Sequence, residues 1–206
     1  MHYHCEIWLP DNKNVEAQVA EILEPFCEEN RWHFEEDEDC NVDPDKGKRG
    51  YWMNPDGWWD WYVIGGRWCG EHDNYNPYDN PINYEPCHLC DGTGFRDDAI
   101  GRDARAKEPT YTCNGCGQRN EDGTWGHNKM GKGMHPKWFV ERYEGDVMEL
   151  SKVKDDITAY TVIINGDVVY HGDSIDKDDE KRPVKDILKE HGIENEGYLV
   201  TVDYHC

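Results

Sequence analysis

The chain has 206 residues and a formal net charge of −22, and only 36% of it is hydrophobic although it carries 9 Trp and 12 Tyr. That length suits one domain with an insertion, or two small domains. The aromatic rings supply enough buried area to argue against general disorder. The charge excludes broad attraction to phosphate backbones and anionic membranes, so direct nucleic-acid binding is not expected.

The chain opens on an alternating stretch. Tyr3, Cys5, Ile7 and Leu9 share one face, and His2, His4, Glu6 and Trp8 share the other, which predicts a strand over 2–9. The same opening lacks a basic region and a long apolar run, so no signal peptide is expected. No stretch reaches transmembrane length, and a cytoplasmic protein is expected. A helix follows, capped by Asp11 or Asn12, with Val15, Val19, Ile22 and Leu23 at helical spacing and Pro25 at its end. Residues 28–47 are acidic and poor in apolar groups, which predicts a solvated loop. Asp56-Gly57 predicts a turn before a strand at 58–64, and Gly65-Gly66 breaks that strand. Residues 72–86, rich in Asn, Pro, Tyr and Asp, predict a surface loop.

Residues 85–135 hold many Gly and little periodicity, so apolar burial alone cannot hold this segment together. Regular patterns return after it. Residues 158–164 and 167–171 flank Asn165-Gly166, a strong hairpin signal. Pro183 suits the first turn of a helix at 183–191, and Gly192 stops it. A last strand at 197–205 sets Tyr198, Val200, Val202 and Tyr204 against Leu199, Thr201, Asp203 and His205. Without the Cys segment this order predicts an α+β, ferredoxin-like βαββαβ sandwich with an inserted Gly-rich zinc knuckle. Residues 1–70 and 138–206 form the core domain in this reading, and 71–137 form the insertion.

The chemistry concentrates in four places. Nine Cys is an odd number, and four of them stand in CxxC pairs, which reads as metal binding plus free thiols. Cys87, Cys90, Cys113 and Cys116 form C-x2-C-x22-C-x2-C, close to the usual zinc spacing, and four thiolates leave no open position for catalysis. One structural Zn2+ per chain is expected. Gly65, Gly66 and Arg67 have two readings. They form either an anion nest with a guanidinium, or a packed turn with Arg67 between Trp61 and Trp68 and Asp60 as its partner. If the first and last strands are antiparallel neighbours and the helices cover their apolar faces, the open face carries His2, His4 and Glu6 beside Asp203 and His205. His2, His4, Asp203 and His205 are then candidates for a second metal or for general acid–base work; the alternative is a polar sheet face partly covered by the Trp-rich segment. Cys69 and His72 form a weaker nucleophile–base candidate without an orienting group. Arg96, Arg102, Arg105 and Lys107 form a basic patch that Asp97, Asp98, Asp103 and Glu108 nearly cancel.

Two resemblances add expectations. Cys87–Phe95, CHLCDGTGF, resembles one repeat of the DnaJ-type zinc finger; the second pair departs from it, because Gly117 and Gln118 follow Cys116 directly. This supports a zinc knuckle and no cochaperone activity. The stretch Asp60–Trp68, DWYVIGGRW, together with the HYH start, the knuckle and the closing VDYHC, resembles a group of uncharacterised bacteriophage and actinobacterial proteins. The resemblance implies a phage context, hence the host cytoplasm. The expected function is a soluble accessory protein that binds a host protein, of nucleic-acid-handling or defence machinery. The alternative is a nucleotide-binding protein or metal-dependent hydrolase with its site on the open sheet face.

Overall fold

The computed structural model describes residues 1–138, 140–172 and 182–206. The chain divides into two compact units, Met1–Tyr75 with Arg142–Cys206, and Asn76–Glu141.

The first unit is built on a mixed sheet. Its elements in chain order are β1 (His2–Leu9), α1 (Val15–Leu23), β2 (His33–Glu36), β3 (Gly50–Met53) and β4 (Trp61–Ile64). The second unit contributes β5 (Tyr84–Pro86), α2 (Ala99–Lys107), β6 (Gly117–Arg119), β7 (Trp125–His127) and β8 (Met134–Pro136). The chain then returns to the first unit with β9 (Val147–Glu149), β10 (Thr161–Ile164), β11 (Asp167–His171), α3 (Val184–Glu190) and β12 (Tyr198–His205). The main sheet runs β11-β10-β1-β12-β4, and β9 also pairs with β12. The first and last strands are antiparallel neighbours, with His2 opposite His205, His4 opposite Asp203 and Glu6 opposite Thr201.

The ferredoxin-like expectation needs correcting. A split βαβ unit places another strand between its two parallel strands. Here β1 pairs directly with β10 in parallel, and β11 lies outside β10 as the edge. The architecture is α+β with helices on both faces. One face buries Cys5, Ile7, Leu9, Ile163, Val200, Val202 and Tyr204 under Val15, Val19 and Leu23 of α1. The other face buries Val162, Ile164 and Leu199 under Val184, Ile187 and Leu188 of α3, with Trp8 packed alongside. The period-2 alternation of β1 and β12 therefore supplies two cores.

The tryptophans enlarge the first core. Trp58 meets Tyr204 edge-on with ring centroids 4.7 Å apart. Trp59 sets its ring against Tyr62, and its Nε1–H donates to the Leu23 carbonyl at the end of α1 at 2.8 Å. Asp11 accepts from the backbone of Lys13 and so shapes the approach to α1, while the residue before the helix is Asn14 in left-handed conformation. The Asn165-Gly166 hairpin forms with both residues at positive φ, +52° and +87°. The acidic segment expected as a loop contains a strand: β2 pairs with β3 in a two-stranded ribbon, and Phe34 packs edge-on against Trp52. Asp43 closes its far end by accepting from the backbone of Asp45 and Lys46 and from Trp52 Nε1.

Among the described residues, no helix is long and apolar enough to cross a membrane.

Candidate functional site

In the unit Asn76–Glu141 the regular elements are small. Strands β5 and β8 pair, as do β6 and β7, over three residues each. Helix α2, N-capped by Asp98 on Gly101 N–H, buries only Gly101. The buried cluster of this unit is Cys87, Cys90, Cys113 and Cys116. Their four Sγ atoms lie within 4.8 Å of one another. Cys87 and Cys113 approach to 3.8 Å, and Cys90 and Cys116 to 3.7 Å. A tetrahedral ion with metal–sulfur bonds of ~2.3 Å has sulfur–sulfur edges of about 3.8 Å, so the spacing fits such an ion. No disulfide joins these thiols.

The knuckle backbone turns its N–H groups toward sulfur. Gly94 N–H donates to Cys90 Sγ at 3.2 Å, and Gly115 N–H to Cys113 Sγ at 3.3 Å. Such donors stabilise thiolate in a ligand set. The two knuckles are tied by Cys113 N–H on the Gly94 carbonyl at 2.9 Å. Burial raises the Cys87 and Cys116 thiols. At Cys90 burial acts in the same sense, but the Gly94 N–H and the neighbouring thiols outweigh it and lower that thiol. Among the described residues this quartet is the group of three or more His, Cys, Asp or Glu side chains placed to share an ion.

The histidine face of the sheet divides into a buried part and a surface part. It is not open: besides α3, the segment after β4 and the Gly145-Asp146 turn cover it. His4, Glu6, His72, Thr201, Asp203 and Asp146 are all buried. Glu6 stands at the centre. Its Oε1 accepts from His4 Nε2 and from Thr201 Oγ1, each at 2.8 Å, and its Oε2 accepts from His72 Nε2 at 2.9 Å. His72 Nδ1 donates to the Gly145 carbonyl at 3.0 Å. A carbonyl and a carboxylate both demand donors, so both ring nitrogens of His72 carry protons and the ring is an imidazolium. Burial alone would raise the Glu6 carboxyl, but His72 and then His4 overcome it and hold Glu6 well below the carboxylate range. Burial alone would lower His72, and the Glu6 carboxylate overcomes it and raises the imidazole. The group is a buried ion pair with its lone pairs satisfied.

The Gly65-Gly66-Arg67 turn also meets carboxylates of its own chain. Arg67 N–H donates to Asp203 Oδ2 at 3.0 Å, and Gly70 N–H donates to Asp146 Oδ1 at 2.7 Å. The Arg67 residue is exposed, while His4, rather than Arg67, stacks on Trp68 at 5.2 Å and 11°. Cys69 and His72 do not form a dyad. Burial, and then the Asp146 carboxylate, push the Cys69 thiol up to about 12, and both His72 nitrogens are committed elsewhere.

Of the four sheet-face candidates, His4 is drawn into the Glu6 network. His2, Asp203 and His205 meet near the sheet's end. His2 Nδ1 lies 2.8 Å from Asp203 Oδ1, and His205 Nδ1 lies 2.8 Å from Asp60 Oδ1. The His2 and His205 ring centroids are 5.2 Å apart. The roles of His72 and Asp146 were not apparent from the sequence. His72 stands in a loop composition without periodicity, and Asp146 lies far from every motif; only the fold brings them to Glu6 and the Gly-Gly turn.

No protein-family model, curated protein or solved structure matches this chain.

Proposed function

We propose that the protein is a zinc-stabilised binding protein of phage type that docks on a host protein in the host cytoplasm. The closed four-thiolate set carries this reading. Four buried Sγ atoms within 4.8 Å of one another, in a Gly-rich unit with little other core, suit a structural zinc ion, and four thiolates would leave it no coordination position for a substrate. The same unit turns large apolar side chains outward: Ile82, Leu89, Phe95, Ile100 and Trp138 are exposed, Trp138 at 79%. Exposed apolar groups of this size suit contact with another protein. The charge of −22 favours a basic partner of the kind that handles nucleic acid.

A pull-down tests the proposal. Zinc-loaded protein is expected to retain a basic host protein at moderate salt, and a Trp138→Ala, Leu89→Ala variant to retain less of it. Metal analysis is expected to give one zinc per chain. Retention of no protein, or equal retention after zinc is stripped, would count against it.

A further inference from the structure

The geometry points to a second, open metal site at the end of the main sheet, where His2 and His205 together hold a divalent transition-metal ion through their Nε2 atoms. The inference is independent of the cysteine site. The two residues are directly opposite on β1 and β12, so their side chains rise from the same face. Each ring is held at Nδ1 by a carboxylate: His2 by Asp203, and His205 by Asp60, both at 2.8 Å. A carboxylate accepts, so Nδ1 carries the proton in each ring. In the neutral imidazole this leaves the lone pair on Nε2. Neither Nε2 has a hydrogen-bond partner among the described residues. A carboxylate on one nitrogen and a free lone pair on the other is the arrangement in which metal-ligating histidines are held, and the carboxylate makes the ring a better donor.

The spacing agrees. Two imidazoles bound through nitrogen to one tetrahedral ion, with bonds of ~2.0–2.1 Å, have ring centroids about 5 Å apart. The observed separation is 5.2 Å, at an interplanar angle of 72°. Support for the rings differs usefully. Asp203 is buried and is itself fixed by Arg67 N–H, so His2 is anchored to the body of the fold. Asp60 is tied to the same end of the sheet through its N–H on the His205 carbonyl at 2.9 Å. The His205 side chain is 40% exposed and that of His2 18%, so solvent reaches the pair. Two negative neighbours and the overall charge of −22 favour a cation. Imidazole donors select nickel, copper and zinc over calcium and magnesium. Two protein ligands leave positions for water or for a donor group of another molecule, unlike the closed cysteine site.

The test uses full-length protein already loaded with zinc and titrated with Ni2+ by calorimetry, with zinc content measured before and after. The expected result is one Ni2+ per chain with zinc retained. His2→Gln and His205→Gln should each weaken binding at least ~10-fold, and together abolish it. Asp60→Asn, at a half-exposed position, should weaken it by about 10-fold while both imidazoles remain. Circular dichroism and zinc content check that the variants are folded. Absence of Ni2+ binding by the parent protein, or equal binding by the double variant, overturns the proposal. So does a stoichiometry of one ion to two chains, because the pair then bridges copies instead of closing within one.

Discussion

Gly66 has almost no latitude. Its φ is +58°, and a Cβ built there would fall inside the van der Waals contact of Asp203 Cβ, with Asp203 Oδ2 at 2.6 Å. Gly65, at φ +80°, meets Asp146 in the same way. The two glycines let a turn close over two buried carboxylates, which then accept backbone N–H groups. Gly66→Ala should therefore combine left-handed strain with overpacking and cost about 2–4 kcal/mol, read as a lower urea midpoint. A cost near zero would mean the turn relaxes away from Asp203. The Glu6–His72 pair gives the second prediction at this scale. The Glu6 carboxyl is depressed from 4.5, so its contribution is present above that value and fades only as pH falls through its lowered value. His72 is raised above 6.5, so its contribution is complete below 6.5 and is lost as pH rises through its elevated value. Thermal stability should decline on the alkaline side of 6.5 in the parent protein, and the decline should flatten in His72→Gln. Glu6→Gln should cost about 3–5 kcal/mol, because it leaves His72 buried as an unpaired cation or forces it neutral. An unchanged pH profile in His72→Gln would remove His72 from this role.

The elements of the second unit lack the support from burial that those of the first have. Strands of three residues and a helix that buries a single glycine cannot offset the entropy of ordering the chain. The cysteine cluster has to supply what burial does not. Cys113→Ser should release the ion and open residues 76–141 to protease, while the β1–β12 sheet keeps its resistance; metal loss with an unchanged digestion pattern would contradict this. What was legible in the sequence follows the same division. The cysteine spacing, the Asn165-Gly166 hairpin, α3 between Pro183 and Gly192, and the alternation of β1 and β12 each rest on a local rule, and each has its counterpart in the fold. The β2–β3 ribbon does not: HFEE offers one apolar side chain, and its partner strand supplies the rest through Trp52. Strand β9 exists because β12 has room for it beside β4, which is a property of the sheet. The two-faced coverage is not legible in the sequence for a related reason. Period 2 shows that both faces of β1 differ in polarity, but it does not show that α3 and the Gly-Gly turn lie over the polar one.

At the scale of the molecule, charge decides two effects that oppose each other as salt changes. The 44 acidic side chains against 22 basic ones leave −22 on one chain. The surface ion pairs, such as Lys185 with Asp155 and Lys152 with Glu149, are already counted in that balance and are each worth little in water. Self-repulsion therefore burdens the folded state, most at low ionic strength. Raising sodium chloride from about 20 mM to about 500 mM shortens the Debye length from roughly 20 Å to about 4 Å. The unfolding temperature of the free protein should rise by a few degrees over that range. The proposed docking on a basic partner should respond in the opposite sense, since the attraction that would steer the encounter is screened by the same ions. Calorimetric unfolding and partner retention, followed across one salt series, separate the two. If both fall together as salt increases, self-repulsion is not what limits the fold and the ion pairs are doing more than their exposure implies. If retention is indifferent to salt, the partner is held by the exposed apolar side chains of the second unit, and a basic surface is no longer required of it.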